Sequence, residues 1–413
     1  TASSPAGYTE MKGSVAMADA VAASRWLYDT MASLAGEPVV AMRAWNGDVW
    51  GPRDAASTIV LKHPGALRAL LLPANDLSAG EAYIYDDIDI EGSILDALQF
   101  AARLQAAPSG RLASFRLLRN LRRLPAANRR SAHSRPKRKG RLHSTRRDRA
   151  SVTAHYDVGN DFFAQFLDPM MVYSCAAFLD PQERLETAQE RKIDLICRKL
   201  QLKPGQRLLD IGCGWGAVAL HAARQYGVKA TGVTLSAPQA AWATTRAKDA
   251  GLEDSVDFRV LDYRDIEGRF DAIASVGMFE HVGRGQLAYY FDEIGKHLEP
   301  GGTFLNHGIV TRDLRHRRTR PTFVNTHVFP DGELIPVNEV IAMAEGAGFE
   351  LRDAESLRAS YALTLRCWLD SLETNRKLAI DSTDQTTYRI WRLYMSGSAI
   401  ACEAGAISVH QLL

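Results

Sequence analysis

Residues 208–216, "LLDIGCGWG", close a short apolar run with three glycines at alternate positions, Gly212, Gly214 and Gly216. The run has strand length, and "GAVALHAARQYG" (216–227) behind it has helix length and spacing. A turn without side chains at the carboxyl end of a strand lets the backbone approach a ligand closely. Outward from it the alternation continues. "VKATGVT" (228–234), "VDFRVLD" (256–262), "FDAIASVG" (270–277) and "GGTFLNHGIV" (301–310) are short apolar runs, separated by helical lengths such as "APQAAWATTRAKDAG" (237–251). Strands alternating with helices predict an α/β fold, a largely parallel sheet covered by helices on both faces.

The GxGxG spacing departs from the GxGxxG dinucleotide fingerprint. Asp210 precedes the turn inside its strand, the second strand ends in "GVTLS" (232–236), and the third ends in "LDYRD" (261–265), where an adenine would lie. Together these features point to S-adenosylmethionine and a Rossmann-like methyltransferase sheet. Sheets of this type usually carry an acid after the second strand for the ribose hydroxyls. Here Thr234-Leu235-Ser236 stand instead, and Gln239, one turn into the next helix, is the expected substitute.

Four further stretches carry chemistry: "HYDVGNDFFAQFLDPMMVYSCAAF" (155–178), "SVGMFEHVG" (275–283), "FLNHGI" (304–309) and "SYALTL" (360–365). In them the chain resembles the cyclopropane-fatty-acid synthases and mycolic acid methyltransferases, from residue 151 to 413, and more weakly in the first block through "GEAYIYDDIDIEG" (80–92). The resemblance implies methyl transfer to the cis double bond of an unsaturated phospholipid acyl chain. Ring closure then needs a base, which in this family is a bound bicarbonate. By the same resemblance Glu280, His307 and Tyr361 hold that anion, with Cys175 and Ile309 contributing through the backbone. Tyr173 and Ser174 match contacts to the methionine moiety, joined by Gly212, Gly214, Thr234, Leu235 and Gln239, and Tyr263 stands beside the adenine. Phe162, Tyr173, Phe279 and Tyr361 are aromatic candidates for facing the cation.

There are departures. Ser398 stands where relatives carry a cysteine assigned to the active site, and activity is expected without that thiol. Asn306 and Gly308 alter the neighbours of His307, and Cys402 replaces a phenylalanine. A same-scaffold alternative ends in a methylene or methyl branch instead of a ring. Relatives suggest a homodimer.

At 413 residues, 46% hydrophobic and 24% charged, the chain is expected to be globular with more than one domain. The expected division is a smaller N-terminal α+β domain over 1–108, a basic segment over 109–150 and the catalytic domain over 151–413. In the first block "VVAMRAWNGDVWGP" (39–52) reads as a hairpin about Asn46-Gly47 and "SILDALQFAARL" (93–104) as a helix, while the acids of "GEAYIYDDIDIEG" read as a solvated loop and strand edge. Five cysteines without ligand spacing fit a reducing cytosol and no structural metal. The first residues lack a basic region followed by an apolar stretch, so no secretion signal is expected, and no apolar run is long enough to span a bilayer.

Residues 111–150 carry fifteen Lys and Arg against one acid, Asp148, in a chain of net charge +2. In "FRLLRNLRRL" (115–124), Phe115, Leu117, Leu118, Leu121 and Leu124 share one helical face and Arg116, Arg119 and Arg123 the other. Such a helix is expected to insert its apolar face into an anionic membrane while Arg116, Arg119, Arg122, Arg123, Arg129 and Arg130 bind headgroups, at the inner face of the cell membrane. "TRDLRHRRTRP" (311–321) is a second basic cluster. The competing use, a nucleic-acid arm on an RNA methyltransferase, is disfavoured because Phe115 is the segment's sole aromatic.

Overall fold

The computed structural model describes residues 6–36, 40–107, 111–126, 147, 158–312 and 321–413. Contacts divide the chain into two compact units. One comprises Thr1–Lys137, Arg320–Thr326 and Arg389–Gly397, and the other Arg138–Thr319, His327–Tyr388 and Ser398–Leu413.

The first unit holds a four-stranded sheet of order β2-β1-β3-β4, built from β1 (Val40–Arg43), β2 (Val49–Trp50), β3 (Ser57–Leu61) and β4 (Ile88–Gly92). The β1–β2 hairpin turns at Asn46-Gly47. Asn46 Oδ1 accepts the Asp48 N–H at 3.2 Å, and Gly47 takes the left-handed φ of 92° that favours glycine. Its helices are α1 (Ala6–Ala35), α2 (Ala66–Leu71), α3 (Asp76–Ile84), α4 (Ile94–Ala106) and α5 (Arg111–Arg123). Asn75 caps α3 through Ser78 N, and Ser93 caps α4 through Asp96 N.

One expectation for this unit holds in part and one is corrected. In "GEAYIYDDIDIEG" β4 is the edge strand of its sheet and Asp86 and Glu91 are exposed, as a solvated loop and strand edge requires, but buried arginines of helix Gln385–Glu403 also dock on the segment. Arg389 pairs with Asp86 at 2.9 Å and Asp89 at 3.0 Å, and Arg392 donates to Tyr83 Oη, Ile90 O and Gly92 O. The apolar face of α5, by contrast, is not free for insertion. Leu121 and Leu124 are buried, Leu117 and Leu118 half-buried, and the helix packs on α1 and α2. Among its described side chains, α5 leaves to solvent Phe115, 64% exposed, with Arg116, Arg119, Arg122 and Arg123. Arg129, Arg130 and most of the 311–321 cluster lie outside the described residues.

The second unit is built on an eight-stranded sheet. Five parallel strands, β5 (Arg207–Ile211), β6 (Lys229–Thr234), β7 (Val256–Val260), β8 (Phe270–Val276) and β9 (Leu298–Thr311), run in the order β9-β8-β5-β6-β7. At the end of β9, β10 (Ile335–Pro336) adds in parallel, β12 (Ile407–Leu412) pairs antiparallel with β9, and β11 (Ala354–Ser356) pairs antiparallel with β12. Strand period sets the two cores. Leu208, Ala272 and Ala274 face Ile193, Ile196 and Ala219, while Leu209, Ile211 and Ile273 face Leu287, Tyr290 and Phe291. After β5 the chain returns to β6 on one side, whereas β8 lies on the other. This switch point opens a crevice at the carboxyl ends of β5 and β8. No helix among the described residues is long and apolar enough to cross a membrane.

Candidate active site

The glycine turn lies at that crevice. Gly212 and Gly214 have φ of 74° and 53°, and a cavity runs over them. Tyr173, Ser174, Asp210, Thr234, Leu235, Gln239 and Tyr263, all expected at the cofactor, line the same cavity. Gly216 does not. A Cβ there would stand 2.5 Å from Phe258 and 2.9 Å from Ala243, so its role is close packing of helix Ala217–Tyr226 against the sheet.

Hydrogen bonds fix the polar wall. Thr234 Oγ1 donates to Gln239 Oε1 at 2.9 Å, which leaves the Gln239 amide N–H groups for a ligand, and Ser236 caps helix Ala237–Asp249 through Gln239 N. Asp262 is occupied by the Arg264 guanidinium at 2.8 Å, and Arg264 lies over the Tyr263 ring at 5.1 Å. Asp210 is buried, with Oδ2 lacking a hydrogen-bond partner, and burial raises its pKa to about 7. This combination fits S-adenosylmethionine: a backbone cradle without Cβ atoms, an amide for ribose hydroxyls, an aromatic for the adenine and an orphaned carboxyl for an ammonium. Bordering aromatics form a continuous group, with Tyr173 at 5.3 Å from Phe163 and 5.2 Å from Trp368, and Trp368 at 6.4 Å from Tyr361. Phe162 and Phe279 are core residues instead. Phe162 packs on Phe163 and Phe166, and Phe279 lies under Gly308.

The second cluster grows from β8, β9 and β12. Beyond β8, Glu280 sits in a short turn, and its Oε1 accepts the Ile309 N–H at 2.6 Å. Oε2 has no hydrogen-bond partner, and burial pushes the carboxyl up to about 7. The Ile309 N–H is thus spent on orienting Glu280. His307, also on β9, is buried, and desolvation holds its pKa well below the usual value, so the ring is neutral. Gln411, paired with His307 across β12, donates from Nε2 to His307 Nδ1 at 3.2 Å. The ring proton therefore resides on Nε2.

Cys175 and Tyr361 join through Leu357. The carbonyl of Leu357 accepts the Tyr361 N–H and the Cys175 thiol, while its N–H donates to Val409 O, and Val409 pairs with Ile309. The Cys175 thiol has its pKa raised strongly by burial, so it is no nucleophile. Ser398, in the middle of helix Gln385–Glu403, neither lines the cavity nor hydrogen-bonds to the Glu280 cluster. Lys192, Gln411 and Trp215 join the site without a signal in the local sequence; the Trp215 indole donates to Asn160 Oδ1 at 2.9 Å. Lys192 and Trp215 line the cavity, yet "ERKID" reads as an ordinary helical surface.

The family model for mycolic acid cyclopropane synthetase matches residues 143–412. The chain belongs to this family. It is 39% identical to a probable fatty acid methyltransferase of Pseudomonas putida over 90% of each chain. It is 40% identical to the cyclopropane-fatty-acyl-phospholipid synthase of Escherichia coli over 63% of this chain and 66% of that one. Among solved structures, the cyclopropane synthase MmaA2 of Mycobacterium tuberculosis aligns with TM-score 0.61 and 35% identity, over 64% of this chain and 96% of that one. The mycolic acid cyclopropane synthase CmaA1, solved with SAH and CTAB, aligns with TM-score 0.61 and 34% identity, over 64% and 96%. This family member is therefore a methyltransferase enzyme that uses S-adenosylmethionine on a Rossmann-like α/β fold.

Proposed function

We propose that the enzyme methylates the cis double bond of an unsaturated phospholipid acyl chain and closes a cyclopropane ring, with bicarbonate held by Glu280, His307 and Tyr361. Glu280 carries the reading: a buried carboxyl with one oxygen fixed by Ile309 and the other lacking a partner. The bound cofactor supplies an electrophilic methyl group. An alkene carbon takes it as the carbon–sulfur bond breaks, the pair stays on sulfur, and the neighbouring carbon becomes cationic. Loss of a proton from the new methyl group lets that carbon–hydrogen pair form the third ring bond. The chain's contribution is to orient an anion that can accept this proton. Protonated Glu280 donates from Oε2, and neutral His307 donates from Nε2. The aromatic group around Tyr173 and Trp368 excludes water from the cation.

The substrate lies in a bilayer, and the exposed arginines of α5, with Phe115, support binding at the inner face of an anionic membrane. Names of relatives favour a second reading. The Pseudomonas putida protein and a Mycobacterium tuberculosis protein 36% identical over 92% of this chain are both called probable fatty acid methyltransferases. A methylene or methyl branch follows if the same cation loses a different proton. Expression in a bacterium without cyclopropane lipids separates the two, since a ring signal in extracted acyl chains supports the first and a branch supports the second. An unchanged lipid profile with folded enzyme present would refute both.

A further inference from the structure

Lys192 has no task in the reaction just described. It lies in helix Leu185–Lys199, is fully shielded from solvent, and still forms part of the cavity wall. Its ammonium has three N–H donors. One goes to Ser174 Oγ at 2.8 Å, and among the described residues no second hydrogen bond or ion pair engages it. Asp168, a nearby acid, already accepts the N–H groups of Met170 and Val172 at 2.9 Å each. Asp210 faces the same cavity with an orphaned Oδ2, and no ion pair joins it to Lys192. Two groups of opposite sign are thus buried at one cavity, offsetting each other only in part, and each keeps unused hydrogen-bonding capacity. Unmet hydrogen-bonding capacity on buried ionisable groups is costly, so the arrangement suits a ligand carrying both signs.

We infer that Lys192, with Ser174, binds the α-carboxylate of the cofactor's amino-acid portion, while Asp210 binds its α-ammonium. The inference rests on the S-adenosylmethionine reading of the cavity and adds a residue to it. Local structure supports the placement. Gln189, three residues before Lys192 and on the same helical face, donates from Nε2 to Ser174 O at 2.9 Å and Val172 O at 3.3 Å. The helix therefore fixes the 172–174 segment by its backbone through Gln189, and Lys192 adds a charge where Ser174 meets the cavity.

The test compares two ligands by calorimetry: S-adenosylhomocysteine and its analogue lacking only the α-carboxylate. The proteins are wild type, Lys192→Met and Lys192→Gln, the last keeping a donor for Ser174 without the charge. Wild type should prefer the carboxylate-bearing ligand by about 30-fold or more, and both variants should bind the two ligands within about threefold of each other. Affinity for the decarboxylated analogue should be nearly unchanged. The ratio is read within each protein, so partial unfolding weakens both ligands alike and leaves it intact. Equal weakening of both ligands, or a wild type without preference, overturns the inference and leaves Lys192 a purely structural cation. Wild type binding neither ligand overturns the cofactor reading as well.

Discussion

Replacing Glu280 with Gln tests the electrostatics of the second cluster without removing its shape. Amide oxygen can still accept the Ile309 N–H, so the bond that orients the side chain survives. What disappears is an ionisation that burial has moved from 4.5 to about 7. Between those values the folded protein holds a proton that the unfolded chain releases, so stability falls as pH rises through this window, with the full cost reached above pH 7. At about 1.36 kcal/mol per unit, the shift amounts to about 3 kcal/mol. Urea unfolding of both proteins from pH 5 to pH 8 reads this directly. Other groups, Asp210 and Lys192 among them, are common to the pair and cancel in the difference. The amide of the Glu280→Gln variant is neutral throughout, so that protein's stability should gain on wild type by about 2–3 kcal/mol from pH 5 to pH 8, the remainder of the shift falling below pH 5. Parallel pH profiles would mean that Glu280 ionises as an exposed carboxylate, and the account of an acid poised to donate to an anion would fail.

Three further outcomes are expected. Gln411→Leu leaves His307 Nδ1 without its donor and the ring free to change tautomer, so kcat should fall by about 10- to 100-fold while S-adenosylhomocysteine affinity in calorimetry stays constant. Gly308→Ala places a Cβ 2.1 Å from Phe279 Cε1 and 2.9 Å from Glu280 Oε1. It should cost about 1–3 kcal/mol in denaturant unfolding and reduce turnover by displacing Glu280. Changing Arg116, Arg119, Arg122 and Arg123 together to Gln should remove about 1 kcal/mol of binding per charge to anionic vesicles, most visibly at low salt, without altering cofactor affinity.

Local pattern carried much of this architecture. Leu208 and Leu209 fall in different cores because successive strand residues point to opposite faces, and that period is written in the chain. The glycine turn likewise announces a backbone cradle, although Gly216 has the same positive φ as Gly212 and Gly214 and is set apart by the Phe258 and Ala243 that the fold brings against it. Tertiary partnership is what local pattern lacks. Amphipathicity in α5 shows that one face is covered, not that α1 and α2 cover it. The acids Asp86 and Asp89 meet Arg389 across some three hundred residues, and Gln411 acquires a role only once β12 pairs with β9. A lysine among helical charges reads as solvated until the fold closes over Lys192.

Ring formation on a phospholipid acyl chain is read by mass spectrometry of acyl chains from unsaturated phospholipid vesicles incubated with purified enzyme and methyl-labelled S-adenosylmethionine in bicarbonate buffer. Labelled carbon is expected in a ring at the former double bond, abolished by Glu280→Ala and by saturated lipid. Cofactor binding with no label in any unsaturated acyl chain would contradict the proposed reaction.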